Sequence, residues 1–334
     1  MPVVIKKEEI KKVEKEKEVK EEEEEEKYFE NYVNLSDVRR VLIEKMEPDD
    51  RCRLTRCSSL CYSEAKTSTN YMYSLKISKS SPYQTEIEVL HDPDRQKGHG
   101  HFLKYERGRK FCLVEYTTLT NQLLWQNTVY GAPKNRLHNY FEYFKYLLKY
   151  GQKSIKNLYI SAKAFDSNFD FGINHLTNLK ELGVESKFLK QFLPKLQRPL
   201  DNLYIYDQEG QDLPSGCTEK VLQVQNTLHA PYAKFDYEKF LQLSATCASI
   251  HIGRIKEAEI ADFIKSWQKG KEETYLVTCT WNLKNSDFKV DRLLKLLGAV
   301  LNESGNCRID RLKEDGKHIM LYNKEDSFSC VWKD

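Results

Sequence analysis

The residues best suited to chemistry sit in one polar stretch, His91 to His101 (HDPDRQKGHGH), where Asp92 and Asp94 join His91, His99 and His101. Imidazole and carboxylate are ordinary metal ligands, but this spacing fits no standard site, and loop histidines are usually solvated. No metal is expected there. Cys52, Cys57 and Cys61 follow one another at five and four residues, which matches no zinc pattern and points to packing. The chain carries no Gly-rich phosphate loop, nucleophile elbow or paired Cys motif, and its 14 glycines are dispersed. No cofactor and no catalytic residue is expected; the sequence reads as a binding protein rather than an enzyme.

Composition narrows the partners. The 334 residues are 40% hydrophobic and 12% aromatic, enough for a sizeable core. Residues 1–34 hold eight Lys and twelve Glu, so the net charge of +3 leaves about +7 for the other 300 residues. That charge is too dilute for nucleic acid, and Lys104, Arg107, Arg109 and Lys110 form the one short basic group. No run approaches the roughly 20 apolar residues of a membrane helix. The charged start is unlike a signal peptide, and nine scattered cysteines suit free thiols in a reducing compartment. The expected location is the cytoplasm, with the nucleus also open to the chain.

The elements that would position a binding site fall into three parts. Residues 1–34 are a Lys/Glu tail that cannot build a core. In residues 35–74, Leu35, Val38, Leu42, Ile43 and Met46 recur at helical steps. Pro48 interrupts, a second helix carries Leu54, Cys57, Ser58 and Cys61, and a third runs from Ser63 to about Tyr71. Three short helices in about 40 residues are too small to be very stable alone, so their apolar stripes call for a partner or for the following domain.

Residues 75–334 read as an α/β domain. Short strands are expected at Leu75-Lys76-Ile77, Glu86 to Val89 and Phe111 to Val114, followed by an aromatic helix over 135–150 that Gly151 can stop. On that helix Tyr140, Tyr143, Tyr146 and Tyr150 read either as a binding patch or as part of a helix sealing the domain. Three segments then share one spacing: Ile155-x-x-Leu158-x-Ile160, Leu179-x-x-Leu182-x-Val184 and Leu200-x-x-Leu203-x-Ile205, with centres 24 and 21 residues apart. Weaker echoes occur at Leu222-x-Val224, Ile250-x-Ile252 and Tyr275-x-Val277. A strand recurring at this period indicates a leucine-rich-repeat-like stack. The stack is degenerate, because Lys163, Lys187 and Gln208 stand where a regular repeat has its Asn or Cys. Helices are expected around Ile260 to Trp267, closed by Gly270, and from Phe288 to Leu301. The end reads as a β-meander over Ile309–Leu312, His318–Tyr322 and Phe328–Trp332, capping the stack. A non-repeating α/β sandwich is the alternative.

The segment LSDVRRVLIEKMEPDDRCRLTRCSSLCYSEA resembles an F-box, an amphipathic helix and acidic-Pro turn followed by a charged helix with Leu and a Cys-Ser pair. Its wording, together with Phe263-Ile264-Lys265-Ser266-Trp267, Asp315-Gly316-Lys317 and Cys330-Val331-Trp332, is similar to the F-box proteins expanded in nematodes and their F-box-associated regions. The resemblance implies a substrate receptor of a cullin-based ubiquitin ligase. A Skp-type adaptor, and through it a cullin, would bind Leu35, Val38, Leu42, Ile43, Met46, Pro48 and Leu54, and the C-terminal domain would hold a protein substrate. Asn34-Leu35-Ser36 stands where F-boxes usually open with Leu-Pro. That departure supports the alternative of a non-ligase scaffold whose helices cap the α/β domain.

Overall fold

The computed structural model describes residues 72–81, 84–91, 100–107, 111–118, 123–130, 144–145, 147–149, 151–161, 165, 169–207, 211–270, 276–312 and 316–333. They belong to a unit spanning Tyr71–Asp334. The tail and the helical module up to residue 71, with Leu35, Val38, Leu42, Ile43, Met46, Pro48 and Leu54, lie outside the described residues.

The unit is mixed α/β, with one large sheet and few helices. Five antiparallel strands come first: β1 (Ser74–Ser81), β2 (Gln84–Leu90), β3 (Gly100–Arg107), β4 (Phe111–Thr118) and β5 (Leu123–Tyr130). The chain then returns to the other edge of β1, where β6 (Asn157–Ile160) pairs with it in parallel. Next come β7 (Glu181–Val184), β8 (Asn202–Ile205), β10 (Thr227–Lys234), β11 (Cys247–His251) and β12 (Thr278–Asn282), each parallel to the one before. The two-residue β9 (Gln211–Asp212) pairs beside β10. Finally β13 (Asn306–Asp310), β14 (His318–Lys324) and β15 (Ser327–Lys333) form a meander whose last strand joins β12 antiparallel. The path across the sheet is β13-β14-β15-β12-β11-β10-β8-β7-β6-β1-β2-β3-β4-β5.

Strand residues alternate between two faces. In register, Leu75, Leu158, Leu182, Leu203, Leu228, Ala248 and Cys279 stand side by side on one face, and all are buried. Each Leu sealed there contributes about 1.5–3 kcal/mol of transfer free energy. Apolar residues of the connecting helices are buried in the same core. These helices are α1 (Leu189–Phe192), α2 (Thr218–Leu222), α3 (Tyr237–Leu241), α4 (Glu257–Gln268) and α5 (Val290–Leu297). Successive units share a backbone bond at each strand entry. The amides of Glu181, Asn202, Thr227 and Cys247 donate to the carbonyls of Lys156, Lys180, Asp201 and Asn226. This leaves no seam between units.

Local chemistry accounts for the helix ends. Asp236 caps α3, its carboxylate accepting the Lys239 amide at 2.9 Å and the Lys239 ammonium at 2.7 Å. Glu259 reaches back to accept the Lys256 amide at 2.7 Å at the start of α4. Gly270 (φ 67°) and Gly298 (φ 66°) follow α4 and α5 in the left-handed region, which L-residues resist.

The three strong repeats are strands β6, β7 and β8, with Leu158, Leu182 and Leu203 buried as expected. Other expectations need correction. Leu222-x-Val224 is not a strand: Leu222 ends α2 and Val224 lies in the turn after it. Both are buried, so burial without strand geometry produced the pattern, and β10 starts at Thr227. Val277 precedes β12 and is 51% exposed; the buried pair of that strand is Cys279 and Trp281. The last helix stops at Gly298 rather than Leu301, leaving Val300 83% exposed. Strands β3 and β5 were not anticipated. Gly151 is still helical and is a packing glycine: a Cβ there would fall 2.1 Å from the Met72 methyl.

Candidate functional site

The parallel ladder that aligns the buried leucines also aligns the residues between them on the opposite face. Lys76, Tyr159, Gly183, Tyr204, His229, Ser249 and Thr280 form one row across β1 to β12. One row away stand Asn157, Glu181 and Asn202. Here two strands of identical sequence, Asn157-Leu158-Tyr159-Ile160 and Asn202-Leu203-Tyr204-Ile205, flank Glu181-Leu182-Gly183-Val184. The leucines point into the core. The asparagines and tyrosines are half-buried and bracket Glu181 and Gly183.

Gly183 matters for space. A Cβ there would lie 2.6 Å from the Tyr159 ring and 2.5 Å from the Tyr206 hydroxyl, so any larger residue would displace these rings. Because position 183 is bare, the Tyr159 and Tyr204 rings approach to 6.5 Å between centroids at 41°. Their parent strands are separated by a whole strand, about 9.6 Å of sheet. The Tyr204 ring lies 6.3 Å from the His229 imidazole. Tyr206, just past β8, remains 43% exposed. A groove of about 650 Å³ opens beside this row, with Lys76, Glu88, Glu185 and Tyr206 among its walls.

Glu181 is the electrostatic centre. The Tyr159 hydroxyl donates to its Oε1, and the Asn202 amide donates to its Oε2 at 3.1 Å. Burial first, and then the hydrogen bond to Glu181, hold the Tyr159 phenol far above the usual tyrosine range. Burial pushes Tyr206 up to about 12, with Tyr204 and Glu181 adding to it. Tyr204 is raised by burial and by the Glu181 charge. All three phenols therefore keep their protons at neutral pH and present hydrogen-bond donors and uncharged rings.

His229 is pushed the other way. Its accessible edge is exposed, yet partial desolvation lowers its pKa from 6.5. The neutral ring is thus favoured in the folded chain. Its contribution to stability is complete above the unfolded value near 6.5 and fades as pH falls toward the folded value. In a histidine NMR titration the His229 ring signals should turn over below pH 6.5; a midpoint above 6.5 would contradict the crowded environment.

The structure brings together none of the residues expected to bind the adaptor, since all of them lie outside the described residues. The same holds for Tyr140, Tyr143, Tyr146 and Tyr150, and for Asp92, Asp94 and His99 of the polar loop. Among the described residues no three His, Cys, Asp or Glu side chains converge to hold a metal. Cys217, Cys247, Cys279, Cys307 and Cys330 are free thiols. Cys279 and Cys330 face each other across β12 and β15, and burial raises both thiols well above their ordinary range. No described helix is long and apolar enough to cross a membrane.

Sequence reasoning followed the apolar positions of the repeats and passed over the residues between them. The repeated Asn-Leu-Tyr-Ile tetrapeptide was the available signal for Tyr159 and Tyr204, and the lone glycine at 183 was the signal for a close approach. No family model matches this chain, and no curated protein or solved structure is significantly similar to it.

Proposed function

We propose that this protein is the substrate-recognition subunit of a Skp–cullin–F-box ubiquitin ligase. In this reading the three-helix F-box that docks on a Skp-type adaptor runs from residue 35 to about residue 70, since Ser74 already belongs to β1. Residues 75–334 form a degenerate leucine-rich-repeat-like stack that holds the protein to be modified. The chain needs no catalytic residue, metal or cofactor of its own, because the ubiquitin chemistry belongs to other subunits, and it works in the cytoplasm or nucleus. The observation that carries the reading is the segment from Leu35 to about Tyr62, with its apolar helical stripe, its Glu47-Pro48-Asp49 turn and its Cys57-Ser58 pair. A small helical unit rich in apolar surface suits a helical partner. The tyrosine-rich strip on the parallel sheet supports the second half of the reading, since exposed tyrosines are favoured in protein-binding surfaces.

The second reading, a scaffold outside any ligase, is favoured by Asn34-Leu35-Ser36 in place of the Leu-Pro start. Co-expression of the full chain with a Skp-type adaptor separates the two. The receptor reading expects a stoichiometric complex on size exclusion. A wild-type chain that folds but never captures an adaptor leaves the scaffold reading in its place.

A further inference from the structure

The row of tyrosines has an unmatched charge. Glu181 is half-buried, and its two hydrogen bonds come from neutral groups, Tyr159 and Asn202. The lysines nearest to it in sequence are engaged elsewhere: Lys180 pairs with Asp201 at 3.3 Å, and Lys187 pairs with Glu185 at 3.2 Å. Among the described residues no cation forms an ion pair with Glu181. A carboxylate offers about four lone-pair positions, so two remain open. The neutral rings of Tyr159 and Tyr204 stand on either side, and a cation is attracted to such faces.

We propose that Glu181, Tyr159 and Tyr204 form a cradle for an arginine side chain on an extended segment of the bound protein. A guanidinium meets both needs at once. It forms two parallel hydrogen bonds to a carboxylate and lies flat against an aromatic ring, which an ammonium does less well. Gly183 lets the Tyr159 ring and the Tyr206 hydroxyl lie close over its strand, and the groove beside Lys76 and Tyr206 gives the rest of the segment a path off the strip. This deepens the receptor reading by naming the chemistry of the captured protein. It rests on that reading only for what happens after capture.

The test uses the full chain with ring-labelled tyrosine, titrated by NMR with three eight-residue Gly/Ser peptides carrying two arginines, two citrullines or two aspartates. The arginine peptide should bind saturably and shift the Tyr159 and Tyr204 signals. The neutral citrulline peptide should bind about tenfold more weakly. Glu181→Gln keeps the size and planar shape of the group, removes the charge and turns one acceptor into a donor, and should weaken the arginine peptide about tenfold. Tyr204→Leu keeps the bulk and removes the π-face; it should cost about threefold and serves if the Gln variant does not fold. Equal binding of arginine and citrulline peptides, preference for aspartate, or no saturable response at millimolar arginine peptide overturns the cradle. Adaptor capture measured on the same preparation keeps the two ideas apart. Peptide binding without capture sinks the receptor reading alone, and capture without peptide binding sinks the cradle alone.

Discussion

Phe171→Ala is expected to lower the free energy of unfolding by about 3–5 kcal/mol, the usual cost of emptying a buried phenylalanine site. Phe171 is 1% exposed and lies in an irregular stretch between β6 and β7. Its ring meets five others: Phe169 at 4.9 Å, Phe165 and Phe192 at 5.0 Å, Phe188 at 5.2 Å and Phe144 at 6.2 Å. Its backbone is fixed as well, because the Phe171 amide donates to Gln191 Oε1 at 3.2 Å while Gln191 Nε2 donates to the Phe169 carbonyl at 2.7 Å. The surroundings therefore have little freedom to collapse into the space. Phe171→Leu keeps most of the volume and should cost only about 1–2 kcal/mol. Urea unfolding followed by tryptophan fluorescence measures both. A loss below 1 kcal/mol for the alanine variant would mean that the ring cluster is not the packing centre described above.

Replacing Leu42 and Met46 together by Asp is expected to weaken adaptor capture at least a hundredfold, about 2.7 kcal/mol or more. These residues are four apart and share one face of the expected first helix. Two carboxylates placed in an apolar contact would be desolvated without partners, a cost of several kcal/mol that a single contact cannot absorb. Adaptor binding by surface plasmon resonance gives the affinity. The melting of residues 71–334, followed in the same samples, gives the control. Undiminished capture would remove Leu42 and Met46 from the contact and, with them, the stripe on which the receptor reading leans.

How much of this was legible depended on which residue types carried the signal. Leu158, Leu182 and Leu203 announced their strands because β6, β7 and β8 bury large aliphatic groups at alternate positions. At β10 to β12 each large buried residue, Leu228, Ile250 and Trp281, is paired two positions away with a small one, Ala230, Ala248 and Cys279, so the alternation is weaker in sequence and neighbouring apolar residues drew the attention instead. Helix α4 was legible because Ile260, Phe263, Ile264 and Trp267 repeat at helical steps over about two turns. Helices of four or five residues such as α1, α2 and α3 offer too few steps to register. Phe165, Phe169 and Phe171 form a cluster without periodicity, and only the fold reveals that they share a site. The tyrosine strip was hidden for a related reason: Tyr159, Glu181 and Tyr204 are 22 to 45 residues apart, and only the register of parallel pairing makes them neighbours.

The order of strands has a consequence for endurance. Among the described strands, six separate β8 from the edge at β13, counting that edge strand, and six separate β7 from the edge at β5. In a sheet where each strand holds only its immediate neighbours, loosening begins at the margins and advances inward strand by strand. The pair bearing Glu181, Gly183 and Tyr204 is the last that such fraying would reach, so the tyrosine–glutamate strip stands on the strands that hold their pairing longest.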